Sequence, residues 1–441
     1  MPCAPVGTAS SPSSWTTAIA RATSSRTSNW LNLVNPVGKP GKAGALMPVE
    51  QALQQLLDLA DATPIREQET LPLADCDGRV LAHALISTLD LPPWPNSAMD
   101  GYAVRLSDWT GEPLVVSQRI FAGQAPQPLA AGTCARIFTG APVPAGADCV
   151  EMQENAVVHA DERVSFSEPL RTGQNIRPQG QETTVGETVL DAGTRLGPIE
   201  LGLAASLGCD GLAVVRRLRV AVLSTGDELI EPGLPLGPGQ IYNSNRRVLC
   251  SWLARMGCDV IDAGILPDDL EQTRGRLAGL GSVDLILSTG GVSVGEADFL
   301  GVALREEGEL ALWKLAIKPG KPLTVGHFRG VPVIGLPGNP ASTLVTFALL
   351  ARPYILRRLG VLDVTPLRFE VPVGFEWPKP GNRREYLRGR IEQGRAVIYR
   401  NQSSGVLRSA AWAEGFVEVL EETTLARGDR VNFIPLSEVL G

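Results

Sequence analysis

The run WKLAIKPGKPLTVG, residues 313–326, sets Lys314, Lys318 and Lys321 close together on a largely apolar stretch. Three ammonium groups so spaced suit a clamp for phosphate or another oxyanion. A surface hairpin whose lysines reach back to water would carry the same pattern. Three further stretches share a second chemistry: VLSTGDEL (222–229), ILSTGGVSVGEAD (286–298) and IGLPGNPAST (334–343) each lead an apolar strand into a turn of small residues. Backbone N–H groups in such turns can face an anion, and glycine lets it approach closely. Their candidate ligand-holding residues are Ser224, Thr225, Gly226 and Asp227, then Ser288, Gly290, Gly291 and Ser293, then Pro337, Gly338 and Asn339.

Carboxylates recur at the same strand ends: Asp227 and Glu228, Asp268 and Asp269, Glu296 and Asp298. Acids repel an anion unless a cation stands between them. Helix capping accounts for Asp269 and Glu296. Glu228, Asp268 and Asp298 suit magnesium, a hard cation that takes oxygen ligands and bridges phosphates. Two turns outside this group, PPWPNSAMDGYAVR and RIFTGAPVPAGAD, deliver Asp100 and Thr139, and by composition both read as ordinary turns.

The elements that position these residues follow from periodicity. LRVAVLST, CDVIDAGIL, VDLILST and VPVIGL are apolar strands, separated by helical stretches near 244–256, 270–280, 297–306 and 340–356. Alternation of this kind means a doubly wound parallel sheet covered on both faces, with ligands beyond the carboxyl ends of the strands. Before it, MPVEQALQQLLDLAD puts Val49, Leu53, Leu56, Leu57 and Ala60 on one helical face. GPIELGLAASLG is a second helix, with Pro198 in its first turn and Gly208 past its end. The expected organisation is an α/β multidomain chain: a helix over 47–70, a linker domain from 71–90 and 170–196, and a β-rich domain over 91–169. The α/β core then spans 197–360 and a C-terminal β-domain 361–441.

Length and composition agree, since 441 residues exceed one hydrophobic core and a 44% hydrophobic, 20% charged chain is that of an ordinary soluble protein. No long apolar window predicts a membrane span. A net charge of −7 argues against bulk nucleic-acid binding. Seven scattered cysteines without a C-x-x-C pair fit a reducing cytoplasm, and three histidines without H-E-x-x-H argue against zinc hydrolysis. Residues 1–46 carry Arg21, Arg26, Lys39 and Lys42 but no acid. A mis-assigned start upstream of Met47 explains this better than a targeting presequence, and disorder is expected either way.

SAMDGYAVR, FTGAPVPAGAD, NIRPQG, STGDEL, GQIYNSN, STGGVSVGEAD, WKLAIKPGKP and GLPGNPAS, in this order, closely resemble the molybdopterin molybdenumtransferases, which include bacterial MoeA and the gephyrin E domain. The resemblance covers about residues 47–441. It implies insertion of molybdate into adenylylated molybdopterin with release of AMP, and a Mg2+ ion at the pyrophosphate. It implies a homodimer whose cleft is completed by the partner chain, and contact with a molybdopterin-adenylylating protein. Asp100, Thr139, Glu228, Asp268, Asp298, Lys314 and Lys318 match positions the family uses in its cleft. Lys321 and Pro322 match the part of IKPGKP associated with molybdate, and Arg383 and Ser404 its other oxyanion contacts, although NRREYLRG offers several arginines and NQSSG two serines. Where many relatives have Gly-Glu-Asp after NIRPxG, this chain has Gly180-Gln181-Glu182, so the carboxylate stands one methylene longer. An adenylyltransferase and a non-catalytic scaffold are the alternatives. The flanking β-domains and the lysine segment argue against the first, and the retained acids and lysines against the second.

Overall fold

The computed structural model describes residues 46–267, 269–290 and 299–440; the predicted site residues Asp268, Gly291, Ser293 and Asp298, and Glu296, lie outside them. A six-stranded sheet forms the centre of the α/β region. Asp259–Leu266, Arg219–Thr225, Leu285–Thr289 and Val331–Leu336 lie parallel in that spatial order. Pro322–Phe328 and Gly308–Lys314 then extend it as an antiparallel hairpin. The doubly wound reading therefore holds for the parallel strands, and the lysine-bearing stretch supplies an antiparallel edge.

Strand alternation divides the core into two layers. Val220, Val222, Leu285 and Leu287 face one side with Leu249, Trp252 and Phe347. Ala221, Leu223 and Ile286 face the other with Leu300, Ala303 and Leu304. Successive side chains on a strand point to opposite faces, so a strand buried on both faces must be apolar throughout. The covering helices are Asn245–Arg255, Leu270–Ala278, Phe299–Glu307 and a helical run from Pro340 to Arg358. That last run widens to a π turn at Phe347–Ala351, just before Pro353. Proline cannot donate the ordinary helical bond, and a locally widened turn accommodates the loss.

The helix Val49–Ala62 packs against this run. Its buried face is Val49, Ala52, Gln55, Leu56, Leu59 and Ala60, with Leu53 and Leu57 only partly covered. The apolar stripe is thus rotated from the expected one, toward the helical run that ends at Arg358. The helix Pro198–Ser206 appears where expected, and Gly208 follows it with a φ of 78°.

Two other six-stranded sheets flank the centre. One contains Gly101–Val104 between Thr133–Ile137 and Cys149–Met152. The other is C-terminal and contains Phe369–Pro372, Arg384–Glu392, Gly415–Val419 and Arg430–Pro435. Its edge strand is only Ile317–Lys318, which pairs in parallel with Arg384 and Glu385. The lysine loop of the α/β sheet is therefore also a strand of the C-terminal sheet. Among the described residues no helix is long and apolar enough to cross a membrane.

Candidate active site

That shared loop walls an open cavity of ≈ 780 Å³. The hairpin contributes Lys314, Lys318, Gly320, Lys321 and Pro322; the strand ends contribute Gly290, Pro337, Gly338 and Asn339; the C-terminal segment contributes Arg383, Gln402, Ser403 and Ser404. Backbone bonds hold the three contributions together. Met47 N–H donates to Lys314 O at 2.7 Å, Arg384 N–H to Ala316 O at 2.9 Å, and Ala341 N–H to Ser404 O at 2.9 Å. Gly320 has a φ of 115°, and a Cβ there would lie 2.6 Å from Thr346 Cγ2, so only glycine fits this close approach.

The electrostatics of the lining are one-sided. It holds three lysines and Arg383 but no carboxylate. Lys318 pairs with the nearly buried Glu385 at 3.0 Å. Lys314, Lys321 and Arg383 make no ion pair among the described residues, and Arg383 only donates to Ile317 O at 3.4 Å. A concave wall holding three uncompensated cations, Lys314, Lys321 and Arg383, concentrates field and draws anions.

Arg388 is a residue that sequence reasoning passed over in NRREYLRG. It is fully buried, donating through Nε to Ser409 Oγ at 3.1 Å and through a terminal nitrogen to Ser403 O at 3.2 Å. No carboxylate pairs with it among the described residues, and burial pushes its guanidinium down to about 10. It lines a second cavity of ≈ 280 Å³ that shares Lys318, Pro319, Gln402 and Ser403 with the first. A buried cation without an acid is costly unless an anion compensates it.

Around the cavity, the predicted residues divide into groups. Lys314, Lys318, Lys321, Pro322, Gly290, Pro337, Gly338, Asn339, Arg383 and Ser404 share its lining. Ser224, Thr225, Gly226, Asp227, Glu228 and Ser288 stand at the neighbouring strand ends but do not line it. Ser224 and Ser288 are fully buried; Ser224 Oγ donates to Asn243 Oδ1 at 3.3 Å, and Ser288 Oγ has no partner among the described residues. Asp269 caps the helix Leu270–Ala278, accepting from Gln272 N–H at 2.8 Å, as its position implied.

Asp100, Thr139 and Glu182 belong to other parts of the fold and do not line this cavity. Asp100 accepts from Thr139 twice, from N–H at 2.8 Å and from the hydroxyl at 2.7 Å. The Thr139 N–H first, then its hydroxyl, holds the Asp100 carboxyl below its ordinary range, so it is ionised at neutral pH. Glu182 is exposed and donates its N–H to Leu91 O at 2.8 Å.

Of the three acids suited to magnesium, Glu228 lies within the described residues and Asp268 and Asp298 outside them. The Glu228 carboxylate is exposed and has no hydrogen-bond or ion-pair partner among the described residues. It folds back over Gly226, where φ is 137° and a Cβ would lie 2.5 Å from a carboxylate oxygen. An uncommitted hard oxygen donor at a strand end fits a divalent cation. Among the described residues, no cluster of three or more His, Cys, Asp or Glu side chains could hold a metal.

Comparison with known proteins follows this geometry. Residues 47–208 match the MoeA N-terminal region (domain I and II), 221–357 a probable molybdopterin binding domain, and 370–436 the MoeA C-terminal region (domain IV). The molybdopterin molybdenumtransferase of Haemophilus influenzae is 38% identical over 407 residues, which is 90% of this chain and 100% of that protein. The chain belongs to the molybdopterin molybdenumtransferase family. Another relative, molybdopterin molybdenumtransferase 2 of Mycobacterium tuberculosis, is 36% identical over 80% of this chain and 91% of its own. The crystal structure of the molybdopterin biosynthesis moeA protein from Pyrococcus horikoshii OT3 matches with a TM-score of 0.76 at 28% identity, covering 89% of this chain and 100% of that one. In this member of the family, the cation-lined cavity lies where the second and third matched regions meet.

Proposed function

We propose that the protein inserts molybdate into adenylylated molybdopterin and releases AMP, forming the molybdenum cofactor. The observation that carries this reading is the cavity walled by Lys314, Lys318, Lys321 and Arg383 without any acid in its lining. Molybdate is a tetrahedral dianion and the nucleotide substrate carries further phosphate charge, so both substrates need such a wall. Lys321, Pro322, Arg383 and Ser404 hold the oxyanion, with buried Arg388 behind them. Lys314 and Lys318 neutralise the phosphoanhydride, whose cleavage depends mainly on positioning and charge stabilisation. The turns at 224–227, 288–293 and 337–339 hold the nucleotide's backbone-facing oxygens.

Glu228, with Asp268 and Asp298, would hold Mg2+, which when bound neutralises charge on bridging phosphate oxygens. Asp100 and Thr139 act from a second copy, so the working unit is a homodimer, with the cleft between segments 197–360 and 361–441 of one chain and 91–169 of the other. Glu182 serves that same face with its longer carboxylate. The protein works in the cytoplasm and receives its substrate from the adenylylating protein. The test is AMP release from adenylylated molybdopterin by the purified protein, with and without molybdate and Mg2+. Molybdate-stimulated release with molybdenum retained on the pterin is expected. Release indifferent to any oxyanion overturns the reading, and tungstate in parallel reads the choice between two anions of nearly equal size.

A further inference from the structure

The segment Tyr242-Asn243-Ser244-Asn245 lies between the strand-end turns, and none of its side chains lines the cavity. Its two carboxamides nevertheless reach two adjacent strands and the turn that follows a third. Ser224, Thr289 and Leu336 stand in register across the parallel sheet. Asn243 Oδ1 accepts from Ser224 Oγ at 3.3 Å, tying the segment to the first of these strands. Asn245 Nδ2 has two hydrogens and uses both: one bond goes to Thr289 Oγ1 at 2.9 Å and the other to Gly338 O at 2.6 Å. A backbone bond there runs from Gly290 N–H to Leu336 O at 3.2 Å. Gly290 and Gly338 both line the cavity. A Cβ on Gly338 would lie 3.8 Å from Gly290 Cα, so the turns are in near contact where the carboxamide bridges them.

We propose that Asn245 is a positioning residue: its carboxamide sets the spacing between the 289–290 turn and the 337–339 turn, and so the alignment of nucleotide and oxyanion. This rests on the function proposed above. Each substrate keeps most of its own contacts when the clamp is lost, but the two are no longer held in one geometry. Misplacement on the order of 1 Å costs about 100-fold in rate without a matching loss of binding.

The test is steady-state AMP release by the full chain carrying Asn245→Ala, Asn245→Asp or Thr289→Val, with folding checked by circular dichroism and Tm. Asn245→Ala is expected to lower kcat about 10- to 100-fold while the KM for molybdate and for the nucleotide each stay within about threefold. Asn245→Asp keeps the shape but cannot donate to Gly338 O, and should fall with it. Thr289→Val removes one bond of the two, with a loss of about 3- to 10-fold, and adds nothing on top of Asn245→Ala. A kcat within about twofold of wild type in Asn245→Ala or Asn245→Asp overturns the proposal. A loss carried wholly by KM overturns it too, because Asn245 would then be a ligand contact. Should Asn245→Ala fail to fold, the near-isosteric Asp and Val variants decide the question. Hydrogen–deuterium exchange gives a readout independent of turnover: peptides over 285–290 and 334–341 should exchange faster in Asn245→Asp, while 46–62 stays unchanged. If the wild type releases no AMP, the proposed function falls and the exchange still judges the clamp.

Discussion

Arg383 and Arg384 are neighbours in sequence with opposite surroundings. Arg384 pairs with Glu50 of the first helix and with Glu421 at 3.3 Å, and lies 3.8 Å from Glu418. Glu418 in turn accepts from Tyr386 Oη and Asn432 Nδ2, both at 2.9 Å. Arg383 meets no acid among the described residues and faces the cavity beside Lys314 and Lys321. The same contrast separates Arg216, which grips Asp284 in a fork at 2.7 and 3.0 Å, from the buried Arg388, which has only neutral acceptors. Charges that hold elements together are neutralised within the chain. Lys314, Lys321 and Arg383 in the cavity wall are left open, which costs stability and makes sense only where an external anion supplies the missing charge.

Breaking the open side should cost activity and spare the fold. Lys321→Ala is expected to reduce molybdate-dependent AMP release by about 100-fold or more, with Tm unchanged or slightly raised by relief of repulsion. Kinetics alongside thermal melts would check this, and a fall in Tm would place Lys321 with the structural charges. Arg388→Met should weaken oxyanion binding by about tenfold in calorimetry while leaving stability equal or higher, because an apolar side chain replaces an uncompensated buried charge.

The closed side should behave in reverse. Asp284→Asn should cost about 2 kcal/mol in denaturant unfolding, since it leaves Arg216 only Glu67, at 3.5 Å, as an acidic partner, while AMP release at low temperature persists. Burial opposes ionisation of Asp284, but bonds from Arg216 and from Arg219 N–H more than offset it and hold the carboxyl below its ordinary value. The stabilisation is therefore complete above the ordinary aspartate range and disappears as pH falls through the folded value. Unfolding curves from pH 6 down to about pH 2 should show a steeper acid loss in wild type than in Asp284→Asn. The smallest effect on stability is expected at Thr139→Val, which removes the hydroxyl bond and keeps the N–H bond. The Asp100 carboxyl should rise part-way to its ordinary value, readable by NMR titration without change in Tm.

The strands of the central sheet were legible because fully buried strands must be apolar on both faces, and VLST, LILST and VPVIGL have no other stable place. The lysine trio stood out as an anion clamp or a surface hairpin, and only the cavity lining distinguishes the two. Asp269 could be assigned as a cap from its position ahead of a helix. Arg388 could not, because an arginine's partners come from segments distant in the chain, here Ser403 and Ser409. Nor could the inward burial of Ser224 and Ser288, because small hydroxyl residues look the same in sequence whether buried or facing a ligand.

By itself the sequence determined which residue types exist in which local elements: apolar strands, glycine turns, cations on a hairpin, acids ahead of helices. These follow from interactions within a few residues, namely steric limits on φ, strand and helix periodicity, and capping. Only the tertiary structure decided that the lysine loop also serves as an edge strand of the C-terminal sheet, through Ile317 and Lys318 paired with Arg384 and Glu385. It also decided which of two adjacent arginines is neutralised, and that one carboxamide, Asn245, spans two turns. Those outcomes depend on pairing between segments tens to hundreds of residues apart, which no local pattern records.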